Sequence, residues 1–204
     1  MRRFAALALL LTAAPAWASF FTSEKDSHVN TRYQESTAEQ ASRAFREAET
    51  DLPSLPDTQS GDWFDVYVRA DYTKKPKILL SSLSIMPAPD NSVRYVLNTQ
   101  SAGGHDNLTV EGIFCARSSF KYQEDKLSSY KVFGYGDPVN RRWIQPRHPE
   151  WKPIGGAMSR NDALRTVLYQ AFCVDGRPNT VEGLQQRLRE RAGRYPVSLH
   201  NADK

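Results

Sequence analysis

The sequence predicts an α+β fold, an antiparallel meander sheet with two C-terminal helices packed on one face. Three observations predict it. Short segments of alternating polarity, separated by glycine, proline and Asp-Asn turns, run from Trp63 to Tyr135. Two amphipathic helical stripes come only after Ser159, so the strands precede the helices instead of alternating with them. Finally, the chain has two cysteines, Cys115 in the strand half and Cys173 in the helical half, placed to join one to the other.

From Ser19 to about Asn30 apolar residues are scarce. Ser36-Thr37-Ala38-Glu39 then has the spacing of a helix capping box, and a helix is expected to about Thr50. Its apolar face, Ala38, Ala41, Phe45 and Ala48, is small, so the helix should dock weakly. Pro53, Pro56, Ser60 and Gly61 form a linker.

Trp63 to Arg69 alternates, with Phe64, Val66 and Val68 on one side and Asp65 and Arg69 on the other, as in a half-buried strand. A second strand is expected in the apolar run Ile78 to Ile85, closed by the turn Pro87-Ala88-Pro89-Asp90-Asn91. Val93 to Thr99 and Leu108 to Cys115 flank a short glycine loop and form a hairpin. Ser119 to Tyr122 and Tyr130 to Tyr135 extend the meander. Pro146, Pro149 and Pro153 make residues 140–156 an extended loop. Ser159 is placed to cap a helix carrying Leu164, Val167, Leu168 and Ala171 on its buried stripe, ended by Gly176 and Pro178. A last helix, about Thr180 to Ala192, turns Val181, Leu184 and Leu188 inward and Arg187, Arg189, Arg191 and Arg194 outward.

Before all of this stands a segment with the form of a secretory leader. Arg2 and Arg3 precede an apolar run from Phe4 to Leu11, and Ala16-Trp17-Ala18 supplies the small residues of a cleavage site. The run is shorter than the roughly 20 apolar residues of a membrane span, and nothing later approaches that length. The expected organisation is a leader over 1–18, a polar lead segment and linker over 19–61, one α+β domain over 62–194 and a flexible tail over 195–204. The mature chain is then periplasmic or secreted. In that compartment an isolated pair of cysteines is most simply a disulfide, since no Cys-x-x-Cys and no zinc spacing surrounds either one. Closing a loop of about 58 residues stabilises by roughly 4 kcal/mol in the chain-entropy account.

The net charge of +4 includes Arg2 and Arg3, so a mature chain near +2 is a poor nucleic-acid binder. The charge is unevenly spread. Residues 19–60 carry four basic and eight acidic side chains, while residues 141–194 carry eleven basic and five acidic. One explanation is solvated faces, with the acidic lead segment lying over the basic half. The other is an anionic envelope component, or another envelope protein, as partner.

Several stretches carry a resemblance: Ser92-Val93-Arg94-Tyr95-Val96-Leu97, Glu111-Gly112-Ile113-Phe114-Cys115, Trp143 through Trp151-Lys152-Pro153-Ile154, and the helix ending in Phe172-Cys173. Over roughly residues 60 to 185 the chain resembles the cryptic neisserial protein-like family of exported bacterial proteins. That family has no assigned activity, so the resemblance implies export, one domain and a disulfide, and carries over no catalytic residue.

Chemistry-bearing motifs are few. There is no Gly-x-Ser-x-Gly and no His-Glu-x-x-His, and no cofactor or metal motif is present. An envelope hydrolase would have to use His105 of Gly103-Gly104-His105-Asp106 as general base with Asp106 or Glu111. The simpler reading is a glycine turn with a solvated imidazole. The stronger recognition candidate is the loop with Arg141, Arg142, Trp143, Arg147, Trp151 and Lys152. Its indoles could offer flat faces to a sugar or peptide while the cations hold an anion, or they could lie on the sheet as lids. A binding or accessory protein of the envelope, not an enzyme, is therefore the expected function.

Overall fold

The computed structural model describes residues 44–116, 127–154 and 162–194. These belong to the compact unit Ser42–Lys204, and the other unit, Met1–Ala41, lies wholly outside them. The leader, the capping box at Ser36, the strand expected at Ser119 to Tyr122, the Ser159 cap and the tail over 195–204 also fall outside the described residues.

Among the described residues eight strands form one antiparallel sheet: β1 (Trp63–Asp65), β2 (Lys75–Leu79), β3 (Ser84–Ile85), β4 (Val93–Gln100), β5 (Leu108–Phe114), β6 (Ser129–Asp137), β7 (Arg142–Ile144) and β8 (Lys152–Pro153). The order across the sheet is β1-β2-β4-β5-β6-β7, with β3 also pairing β4 and β8 also pairing β6. The centre is the β4–β5 hairpin, in register with Tyr95 opposite Glu111 and Leu97 opposite Thr109. Gly104, at φ 82°, supplies the left-handed turn residue that the hairpin needs.

Alternation along these strands sends side chains to two faces, and both faces are covered. Val93, Tyr95, Leu97 and Ile113 meet Leu164, Leu168, Phe172, Leu184 and Leu188 of the two helices, α1 (Ala163–Phe172) and α2 (Val181–Arg191). On the opposite face Val96, Leu108 and Val110 pack with Leu52, Leu55, Phe133 and Trp143. The predicted α+β architecture is the observed one. So is the bridge: Cys115, just past β5, is joined to Cys173, the C-cap of α1, with Cα atoms 5.2 Å apart.

Four local expectations are corrected. Residues 44–50 are not helical. Phe45 and Glu47 instead find partners on the sheet, and these outweigh the weak apolar face that Phe45 and Ala48 share with small residues. The first strand ends at Asp65, because Tyr67 N–H donates to Ala192 O (2.7 Å) and draws the chain off to the end of α2. The apolar run at Ile78 divides into β2, a single 3-10 turn at Leu80–Ser82 and β3. The Ser82 hydroxyl causes part of that break, donating to Leu79 O (2.6 Å) and accepting from Val96 N–H (2.8 Å). Residues 140–156 are not all loop, since β7 and β8 pair with β6 on the outer edge, where Pro153 costs little ladder bonding.

The helices are capped by side chains. Asp162 accepts from Arg165 N–H at the start of α1, and Thr180 accepts from Gly183 N–H at the start of α2. At the far end of α1 the orphan carbonyls are served from α2. Arg187 donates to Val174 O (2.8 Å), and Arg191 donates to Gln170 O and Val174 O (3.1 Å each) and pairs with Asp175 (2.8 Å). Two of the arginines expected to face solvent therefore bind one helix to the other, while Arg189 and Arg194 are exposed.

Candidate functional site

The face away from the helices is covered by an extended strap of residues 44–55. Phe45 stands edge-on to Phe114 (centroids 4.8 Å) and Trp151 (5.3 Å). Glu47 accepts from Lys131 Nζ (2.7 Å) and from Trp151 Nε1 (2.6 Å). Ala48 N–H donates to Asp90 Oδ2 (2.7 Å), and Pro53 O accepts from Trp143 Nε1 (2.6 Å). Beneath the strap, the buried Arg94 donates to Asp90 (2.8 Å) and stacks on Phe133, its guanidinium carbon 3.7 Å from the ring centroid. Gly112 makes that stacking possible, because a Cβ there would lie 2.9 Å from Arg94 Cδ and 3.0 Å from Phe133.

Asp90 hooks the strap down and gives the contact a pH dependence. Burial raises its pKa, but hydrogen bonds from Ser92, from Ala48 N–H and from Arg94 together outweigh burial and hold it below the ordinary value. A carboxyl depressed in the folded state stabilises above the unfolded pKa of about 3.9 and loses that contribution as pH falls below it. Acidification from pH 6 to pH 3 is thus expected to loosen residues 44–55 early. Limited proteolysis at the two pH values with an acid-active protease should cut this segment first, and uniform resistance at pH 3 would contradict the hook.

The sequence-predicted recognition loop lies along the sheet edge formed by β7 and β8. Arg141, with φ 52°, closes the β6–β7 turn, and Arg142, Arg147 and Lys152 are exposed. Asp137 sits in the same turn. Its carboxylate accepts from the Asn140 side chain (2.7 Å) and backbone N–H (3.2 Å), which lowers its pKa, and Arg142 Nε lies 3.6 Å away. Exposed apolar side chains share the hairpin: Tyr135 and Ile144, opposite one another and each 49 % exposed, and Val139 at the turn, 90 % exposed. The two indoles behave differently from the cations. Both Trp143 and Trp151 are half-buried, with ring N–H groups directed to the strap.

The residues of the hydrolase reading are held separately. His105 is exposed in the β4–β5 turn, its backbone N–H donating to Ser101 Oγ (3.1 Å). Asp106 accepts from Asn98 Nδ2 (2.8 Å) and Gln100 Nε2 (3.3 Å), and the Asn98 bond first of all lowers its pKa. Glu111 is fully buried in mid-strand on the helix face. Its carboxylate accepts from Thr109 Oγ1 (2.9 Å), Tyr95 OH (3.4 Å), Arg165 Nε (3.1 Å) and Arg165 Nη2. Burial lowers the Arg165 pKa, but the facing Glu111 charge reverses this and the net direction is upward. Tyr95 is pushed well up, by burial first and the Glu111 charge second. Glu111 is thus the anchor of α1 on the sheet. Among the described residues no group of three or more His, Cys, Asp and Glu side chains is placed to hold a metal ion.

Sequence reasoning missed this anchor, and also the Glu47, Asp90, Arg94 and Lys131 contacts under the strap. The available signal was charge inside otherwise apolar strands: Arg94 between Val93 and Tyr95, and Glu111 between Val110 and Gly112.

The model of the CNP1-like family matches residues 40–189. The chain belongs to the CNP1-like family. It is 61% identical to "Cryptic neisserial protein 1" of Neisseria gonorrhoeae (strain ATCC 700825 / FA 1090) over 204 residues, covering 100% of both chains. No solved structure matches. The CNP1-like match takes in the whole strap of residues 44–55 as well as both halves of the disulfide, and it ends within α2. No described helix of this CNP1-like chain is long and apolar enough to cross a membrane. The disulfide agrees with the export that the resemblance implies, since such bonds persist in oxidising compartments.

Proposed function

We propose that this chain is a non-enzymatic binding or accessory protein of the bacterial cell envelope, periplasmic after removal of a leader over 1–18, and that it meets an anionic envelope partner through the β6–β7 hairpin and the loop that follows. One observation carries the reading. Arg141, Arg147 and Lys152 are exposed together with Tyr135, Val139 and Ile144, and Arg142 is exposed beside the hairpin's own carboxylate, Asp137, at 3.6 Å. Cations beside accessible apolar side chains suit a surface that attracts an anionic partner at long range and then excludes water from the contact. Trp143 and Trp151 support this surface from below by fixing the loop to the strap. The arginine contribution from the last helix narrows to Arg189 and Arg194, because Arg187 and Arg191 are occupied at the end of α1.

The test is a salt titration of the oxidised chain on immobilised envelope fragments. Retention is expected to fall steeply as ionic strength passes about 0.15 M, where the screening length is near 8 Å. Retention indifferent to salt would remove the electrostatic partner.

A further inference from the structure

Between the strap and the sheet, on the face away from the helices, lies a cavity of about 190 Å³. Leu52, Met86, Val96, Val110 and Phe133 contribute apolar lining, and Arg94 contributes the buried charge. Arg94 is only 7 % exposed and is held in place on two sides. Its Nε donates to Ser92 Oγ (3.0 Å) and its Nη2 to Asp90 (2.8 Å), with the guanidinium lying on Phe133. Its third nitrogen, Nη1, has no hydrogen-bond partner among the described residues. Among the described residues Ser129 Oγ is the one sealed side-chain atom without a partner, so Nη1 reaches solvent through the cavity, and a ligand that brings an acceptor replaces water at a donor already set in place.

The neighbours also decide the ligand's charge. Asp90 already neutralises Arg94, and Asp51 adds a second carboxylate to the cavity wall. A buried anion would find Arg94 already paired, and a buried cation would face the guanidinium. An uncharged acceptor meets neither penalty. An apolar cavity of roughly 150 Å³ is large enough for benzene, so the space here suits a ring or short chain with one polar group.

We propose that this cavity is a binding site for a small uncharged amide or ester, its apolar body against Val96, Val110 and Phe133 and its carbonyl oxygen accepting from Arg94 Nη1. The site uses none of the exposed cations of the β6–β7 hairpin, although Phe133 of β6 forms part of its wall. The strap forms one wall, so occupancy of the cavity and seating of residues 50–53 are coupled.

The experiment titrates the full oxidised chain with three probes built on one phenyl ring, benzamide, benzoate and toluene, following the methyl resonances of Val96 and Val110. Benzamide is expected to bind saturably in the millimolar range, as befits a ligand of about nine heavy atoms, and about tenfold more tightly than either toluene or benzoate. Arg94→Lys keeps a cation for Asp90 but removes the forked donor, so benzamide should weaken about tenfold while toluene is unchanged. Should that variant fail to fold, Ser84→Leu, which adds bulk to a half-buried wall residue, is expected to abolish benzamide and toluene binding together. Benzoate binding as tightly as benzamide, toluene matching benzamide, or no saturable shift with any probe would each overturn the proposal.

Discussion

Arg165→Met is expected to destabilise the chain by about 3–5 kcal/mol, read as a lower urea midpoint at unchanged slope. For a domain of this size that corresponds to a fall in melting temperature on the order of 10 °C. The cause is the carboxylate left behind. Glu111 is fully buried, and Arg165, with 20 % of its side chain exposed, supplies its only cation among the described residues. The remaining donors, Thr109 and Tyr95, are neutral hydroxyls that cannot offset a buried negative charge. Removing both charges is a different case. The double variant Glu111→Leu with Arg165→Met should recover most of the loss, because two apolar side chains of suitable volume suffer no desolvation. A single-variant cost below about 1 kcal/mol would show that the pair is not the anchor of α1.

The second large effect is loss of the disulfide. Cys115→Ser with Cys173→Ser opens a 58-residue loop and is expected to cost about 4 kcal/mol, mainly by freeing the unfolded chain. Where it acts is equally specific. The bridge joins the end of β5 to the C-cap of α1, the same helix that Glu111 holds through Arg165 from its first turn. With both cysteines replaced, amide exchange should accelerate across α1 and α2 before it does so in β4 and β5. Equal acceleration in helices and sheet would contradict a local role for the bond.

How the sequence conveys this fold follows from the range of each interaction. The β4–β5 hairpin was legible because every signal in it is local: Val93, Tyr95 and Leu97 alternate, and Gly103-Gly104 marks the turn. The two helices were legible from the stripes through Leu164 and Leu184, and the disulfide from the absence of competing cysteines. What stayed hidden depends on partners far along the chain. Phe45 and Glu47 read as part of a helix, but their partners are Phe114, Lys131 and Trp151, and alternation cannot reveal contacts across some seventy to a hundred residues. Glu111 drew notice as a possible carboxylate companion of His105. Only the packing of α1 shows that Arg165, 54 residues later, occupies it. Conversely, the basic loop was found from composition, while the inward direction of its indoles required the strap to be seen.

The central functional claim separates two places on one sheet: the β6–β7 hairpin, which meets the partner, and the β4–β5 turn with His105, which does not. The most direct measurement compares retention of two variants with the parent chain on immobilised envelope fragments at low ionic strength. Arg141→Gln, Arg142→Gln and Arg147→Gln combined should lose retention by tenfold or more, with an unchanged melting temperature because all three side chains are exposed. His105→Ala should retain like the parent. Loss of retention in His105→Ala, or full retention in the triple variant, would contradict the account.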